Sequence, residues 1–402
     1  MGHGTEVLLG LFVIFVGAQI GAEIAQRLKF PAVVGEIAAG CILGPSLLGW
    51  VNVVEPFESL AEIGAVFLLF SVGLETRIED LKKVGRVSTF VGVAGVILPF
   101  LLGAVWAKLS GFSTPKAAFV AAAFVATSAG ITARVLQDMG VLNRIESQVI
   151  LGAAVIDDIL AMLLLGVVTA LQGDQGVSLM GLLFVLLQSI GFVALIALVG
   201  TRIMRRSSPL LEMPINPHSP LAISVAVCLG LAVVASYLHL AAIIGAFLAG
   251  MVAAETEQRR TLERQMQSIT VLIVPFFFVA TGAKVSLSAL GNLSVLGSLL
   301  LVTLLAVAGK LLGCGGAALS LGRKSALIVG TGMVPRGEVG IIIASLGKQA
   351  GILTDTTYAI IIAMSLLTSV IAPPALSVLL AREAPQTSSP RTDHCLDSKG
   401  RQ

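Results

Sequence analysis

Charge is what this sequence has least of. Only 12% of its 402 residues are Asp, Glu, Lys or Arg, against roughly 25% in soluble domains, so an ordinary soluble protein is excluded. Cysteine is also scarce. Cys41, Cys228 and Cys314 stand singly in apolar runs and Cys395 in a polar tail, so spacing supports neither a disulfide framework nor a structural zinc site. No Lys or Arg precedes the first apolar run, where Met1-Gly2-His3-Gly4 leads in. No cleavage site follows it, and this segment is read as a first helix, not a signal peptide. His3, His218, His239 and His394 all lie away from span centres, which leaves a buried histidine switch without support. No GxGxxG is present and no cofactor is expected. The net charge of +3 gives no indication of a nucleic-acid partner.

What remains is apolar. Hydrophobic residues make up 56% of the chain and the mean hydropathy is +0.97, which points to a polytopic protein of the lipid bilayer with spans of about 20 residues each. Apolar runs between polar or Gly/Pro clusters predict thirteen spans: 7–26, 31–49, 59–75, 87–107, 115–137, 147–171, 178–201, 219–238, 241–254, 267–283, 293–321, 325–347 and 357–381. Residues 382–402 are polar and Pro/Ser-rich, and read as a disordered cytoplasmic tail.

The rare charges test this count. Segments after odd-numbered spans hold 20 Lys and Arg residues, while those after even-numbered spans hold only Lys108, Lys116, Lys284 and Lys348. Cytoplasmic loops carry such an excess, so the N-terminus is expected outside, the C-terminus inside, and the protein in the cell (inner) membrane.

Segments about 210 residues apart resemble one another: VVGEIAAGCI (33–42) and IIGAFLAGMV (243–252), and FLLFSVGLET (67–76) and FFFVATGAKV (276–285). Residues 125–142 and 334–353 both begin with a non-helical stretch and end in Gly-hydrophobic-Leu. The offset equals seven spans, an odd number, so the repeats have opposite orientation. Repeat one covers about 5–175, a linking helix about 178–205 and repeat two about 215–381, together a transmembrane domain of residues 1–381. Inverted repeats with broken helices are an architecture of secondary transporters.

Six ionisable residues fall within spans: Glu36, Asp157, Asp158, Lys310, Arg336 and Glu338. Each costs roughly 2.5–3.5 kcal/mol at the centre of a lipid-facing helix, so these groups must face a cavity or one another. Neighbouring helix positions point about 100° apart, so one of Asp157 and Asp158 can line a cavity while the other meets a partner. Carboxylates suit a hard cation and also accept protons. Lys310 is the natural counter-ion. The stretches 126–130 and 334–338 interrupt two repeat-related spans, and such breaks are tolerated where they line protein or water. Arg336 and Glu338 either neutralise the broken ends or bind the ion; Glu36 contacts either the ion or packing partners.

VVGEIAAGCILGPSLLG, FLLFSVGLET, TSAGITARVL, GAAVIDDIL and PRGEVGIIIA, in this order, resemble the monovalent cation:proton antiporter type 2 family, with most similarity to bacterial sodium/proton antiporters of the NapA type. The resemblance covers residues 5–381. It implies a homodimer with a dimerisation domain and a six-helix core containing two discontinuous helices that cross. It further implies Asp158 as the main ion-binding carboxylate, Asp157 paired with Lys310 when the ion is absent, Thr127 and Ser128 beside the ion, and Arg336 and Glu338 on the second broken helix. The transported species would be protons and Na+ or Li+, and Asp at 157 resembles the electrogenic members. A potassium/proton antiporter of the same family is the alternative. A passive channel needs no inverted repeat with a lysine opposite its acids, and an intramembrane aspartyl protease needs its aspartates on different helices. Neither fits, and no enzyme is expected.

Overall fold

The computed structural model describes residues 3–45, 47–51, 55–170, 179–196, 219–238, 240–284 and 293–381. Among them every regular element is helical. In chain order the helices are α1 (His3–Arg27), α2 (Ala32–Leu43), α3 (Glu55–Glu75), α4 (Ile78–Leu109), α5 (Thr114–Ala123), α6 (Ala129–Asp138), α7 (Ile145–Ala170) and α8 (Leu179–Leu195). Then follow α9 (Ser219–Tyr237), α10 (Ala242–Ala253), α11 (Arg259–Ala283), α12 (Leu293–Ala317), α13 (Arg323–Gly332), α14 (Glu338–Gln349) and α15 (Asp355–Ala381). Eight are long and apolar enough to cross a bilayer alone. The pairs α5–α6 and α13–α14 are the two broken spans, which accounts with α2, α8 and α10 for all thirteen predicted crossings. The tail 382–402, and the parts of the linking segment beyond residue 196, lie outside the described residues.

Boundaries differ from the hydropathy reading where charge and helix part company. Span 31–49 contains a helix of only 12 residues, because Gly44-Pro45 stops it and the chain folds back through Val51 N–H to Leu43 O at 2.9 Å. Arg259, Arg260 and Arg264, which hydropathy puts in a connecting segment, lie on the first turns of α11. A polar stretch ends a hydropathy peak without ending a helix.

Packing sorts the spans into two bundles. α1, α2, α3, α9, α10 and α11 pack on one another, and α4, α5–α6, α7, α12, α13–α14 and α15 form the second set. The second is the six-helix core; the first holds the place of the dimerisation domain. Between them the contacts are few, and run mainly from α6 and α15 to α2 and α3. α8 packs on α7.

The inverted repeat is visible at the closest helix crossings. Gly35 of α2 lies on the Gly21 carbonyl of α1, and Gly245 of α10 lies on the Leu231 carbonyl of α9; both members of the second pair stand 210 residues beyond the first. A side chain at either glycine would collide with backbone, and small residues of this kind let membrane helices approach. The swapped contacts also match: Gly73 touches the Phe247 carbonyl and Gly282 the Ile37 carbonyl.

Polar contacts identify two ends. Arg259 bonds the Glu75 carbonyl at 3.1 Å, Arg144 the Leu380 carbonyl at 3.4 Å, and Ser325 donates to Glu146 at 2.7 Å. These gather the basic segments onto one face. The opposite face carries Lys284–Glu58 at 2.7 Å and Lys348–Asp355 at 2.8 Å.

Candidate functional site

The two breaks meet at mid-core. α5 ends at Ala123 and α6 starts at Ala129; α13 ends at Gly332 and α14 starts at Glu338. The freed backbone groups find partners across the crossing: Ser128 N–H donates to Pro335 O at 2.7 Å, and Thr132 Oγ1 to Gly332 O at 2.6 Å. α15 secures the second break through Thr368 Oγ1, which accepts from Arg336 N–H at 3.3 Å, and Ser369 Oγ, which donates to Arg336 O at 2.7 Å. Unpaired backbone polar groups inside a membrane would cost several kcal/mol each.

Asp157 and Asp158 have the two different environments expected of helix neighbours. Asp157, with 0% exposure, turns into the core. Its Oδ1 accepts from Lys310 Nζ at 2.7 Å and its Oδ2 from Thr127 N–H at 3.1 Å. The ion pair therefore ties α7 to α12, and the second oxygen ties α7 to the first break. Lys310 is wholly buried, which excludes snorkelling to an interface. Asp158 points elsewhere. It lines two small cavities of about 10 Å³ each, one with Thr127, Ser128 and Gly130, the other with Leu151, Ala154 and Phe247. Such a space suits a single water-sized occupant.

The guanidinium of Arg336 faces the broken ends. Fully buried, it donates through Nη1 to Val125 O at 3.0 Å and Ala126 O at 3.4 Å, and through Nη2 to Ala306 O at 3.0 Å. Two of these carbonyls follow the C-terminus of α5, where the helix dipole leaves negative partial charge. The side chain of Glu338 lies outside the described residues; its backbone opens α14. Glu36 lies apart from this group, buried on α2.

A cavity of about 780 Å³ opens between the bundles toward the face opposite the basic one, lined by Glu62, Ser236, Tyr237 and Ile342 among others. Ala65, Ile243 and Val339 line both this cavity and the small one at Asp158. On the basic side the bundles are held together. Gln137 of α6 donates to Ser71 Oγ at 2.9 Å and to Glu75 Oε1 at 2.7 Å, both on α3. The buried carboxylate of Asp158 is thus approached from one side and sealed on the other.

Residues 10–382 match the profile of the family described as "Sodium/hydrogen exchanger, transmembrane". The chain belongs to this family of transporters. Its relatives include the Na(+)/H(+)-K(+) antiporter GerN of Bacillus cereus, 34% identical over 378 residues that cover 92% of this chain and 95% of GerN. They also include the high-affinity Na(+)/H(+) antiporter NhaS3 of Synechocystis, 34% identical and covering 96% of this chain and 93% of NhaS3. The fold matches the solved structure of the sodium proton antiporter MjNhaP1 from Methanocaldococcus jannaschii, with a TM-score of 0.69 at 20% identity over 94% of this chain and 99% of that one.

Some site residues carried no sequence signal. A Cβ on Gly95 of α4 would stand 2.6 Å from Cys314 Sγ and 3.4 Å from Lys310 Nζ, so this glycine leaves room for Cys314 beside the buried lysine. Thr368, Ser369 and Gln137 are ordinary polar residues whose partners lie in distant helices. Gly337, in the segment PRGEVGIIIA, could have drawn attention: a Cβ there would stand 2.7 Å from the Ser128 Cβ.

Proposed function

We propose that this chain is a secondary-active sodium/proton antiporter that exchanges cytoplasmic Na+ or Li+ for external protons by alternating access at Asp158. The observation that carries the reading is the pairing of Asp157 with Lys310 at 2.7 Å beside a second buried carboxylate that faces a cavity. A buried ion pair whose acid can be claimed by a cation is a coupling device. Sodium at Asp158 draws Asp157 toward it and releases Lys310; proton binding restores the pair and discharges the ion. Cation and proton compete for the same carboxylates, so exchange needs no further gate. Thr127 and Ser128 supply neutral oxygens beside Asp158, Glu338 joins the second break, and Arg336 balances charge without binding the ion. With two acids and a lysine in play, more than one proton moves per cation, and transport is electrogenic.

The core bundle moves against the other, which is held in a homodimer. The repeats are about 5–175 and about 215–381. The basic face is cytoplasmic, with the N-terminus outside and the C-terminus inside, and the conformation described is open outward.

Proteoliposomes with an imposed pH gradient test the site: Asp158→Ala is expected to abolish sodium-driven proton flux, and wild-type flux would refute the assignment. Lys310→Gln should lower charge movement on a solid-supported membrane or make exchange electroneutral. Potassium/proton exchange is the second reading, favoured by the potassium in the name of GerN. Flux compared in sodium, lithium and potassium separates the two.

A further inference from the structure

Glu36 is a buried acid that the exchange just described does not use. It is 3% exposed, and its Oε2 has no hydrogen-bond donor. Among the described residues it has no ion-pair partner either. Buried carboxylates ordinarily have both. The charged groups near enough to act on it are Arg134 and Asp138 of α6, and these are paired with each other at 3.1 Å. On the other helices packed against α2, Glu23–Arg27 of α1 is self-contained and exposed, and Arg259–Glu263 of α11 is paired at 2.6 Å. Glu36 therefore holds an acceptor oxygen that the protein itself leaves unfilled.

Its place gives that vacancy a meaning. Glu36 is the fifth residue of α2, about 6 Å along the helix from its start at the basic face. α2 belongs to the bundle of α1, α3, α9, α10 and α11 and faces α6 of the core, on the same side of Asp158 as the Gln137 contacts to Ser71 and Glu75. Once the bundles part on this side, a cation moving toward Asp158 enters between α2, α3 and α6.

We propose that Glu36 is a second ion-binding carboxylate, specific to the cytoplasmic half of the pathway. It holds a proton while this side is sealed. When the Gln137 contacts part, it releases that proton to the cytoplasmic solution and takes a monovalent cation, which passes on to Asp158. This inference rests on the antiport reading above.

Everted and right-side-out membrane vesicles present Na+ to opposite faces and separate the outcomes. In everted vesicles Glu36→Gln should raise the half-saturating Na+ concentration by about tenfold, as for one lost charge-assisted contact. In right-side-out vesicles it should leave that concentration unchanged, and Glu36→Asp should behave as wild type on both faces. Independently of transport, the Na+-induced infrared difference spectrum should lose a protonated-carboxyl band in Glu36→Gln. An unchanged affinity on both faces, an equal loss on both, or an unaltered infrared band each overturns the proposal. Asp158→Ala is the control: if it still exchanges, the antiport site itself falls; if it is inert while Glu36→Gln matches wild type, only the role of Glu36 falls.

Discussion

The two broken spans share a backbone and divide the chemistry. Each runs helix, five-residue interruption, helix, and each ends two residues before a left-handed glycine, Gly140 at φ 65 and Gly351 at φ 69. Their side chains differ at every level. The first break exposes Thr127 and Ser128 to the cavity at Asp158; the second carries Arg336, whose guanidinium is spent on carbonyls of the first. At the far ends, α6 is latched to α3 of the other bundle through Gln137, whereas Lys348 of α14 bonds Asp355 of α15 within the core. On the proposed antiport reading, symmetric scaffolding with asymmetric side chains assigns ion binding to one break and charge compensation to the other. It also leaves one face sealed and the other open.

The largest difference is expected at the compensating break. Arg336→Met removes the donor to three buried carbonyls, and breaking buried charged contacts of this kind costs about 3–5 kcal/mol. Thermal unfolding in detergent should show a strong loss of stability, with little folded protein recovered. Stability within about 1 kcal/mol of wild type would mean that water fills the carbonyls and that Arg336 has some other task.

A smaller effect is expected where the breaks touch. Ser128 and Gly337 occupy corresponding places and face each other, with room for only one side chain. Gly337→Ala forces a methyl group against Ser128, which overpacks the crossing by about 1–3 kcal/mol. The double variant Ser128→Gly/Gly337→Ala should recover most of that stability, read by the same unfolding curve. No recovery would show that the strain lies in the backbone at 337 and not in the contact.

Much of this was legible in the sequence. The spans were readable because charge inside a membrane is expensive, so the few charged residues marked either a face or a site. Both breaks were readable because Ala-Thr-Ser-Ala-Gly and Val-Pro-Arg-Gly-Glu interrupt otherwise apolar spans. The asymmetry of the aspartates and Lys310 as their counter-ion followed from the residues, but that the lysine pairs with Asp157 came only from resemblance. What Arg336 bonds, why Gly95 is a glycine, and that Gln137 reaches α3 depend on how elements far apart in sequence are packed. Gln137 and Glu75 are 62 residues apart, and no local pattern links them.

The latch at the end of α6 tests the far ends of the comparison. Gln137→Leu removes two hydrogen bonds that hold the basic face shut, worth about 1 kcal/mol each. That is enough to move the balance between the two open states by roughly tenfold or more. A cysteine at Ile342, which lines the large cavity, reports the outcome. Its labelling by an impermeant thiol reagent from outside should slow in the Gln137→Leu background. Labelling at the original rate would assign closure of that face to apolar packing of α2 and α3 on α6.

The smallest effect on stability belongs to the binding break, and its sign is the informative part. Thr127 Oγ1 is buried with no hydrogen-bond partner, while its backbone N–H carries the contact to Asp157. Thr127→Val keeps the shape and the N–H and deletes only the unpartnered oxygen, so stability should hold or rise by about 0.5 kcal/mol. Sodium affinity in proteoliposomes should nevertheless fall several-fold, because an oxygen beside Asp158 has gone. A residue that serves the scaffold loses stability and function together, as Arg336 should. Gain in one and loss in the other marks a group kept unsatisfied for its ligand, and unchanged sodium affinity in Thr127→Val would remove the first break from the binding site.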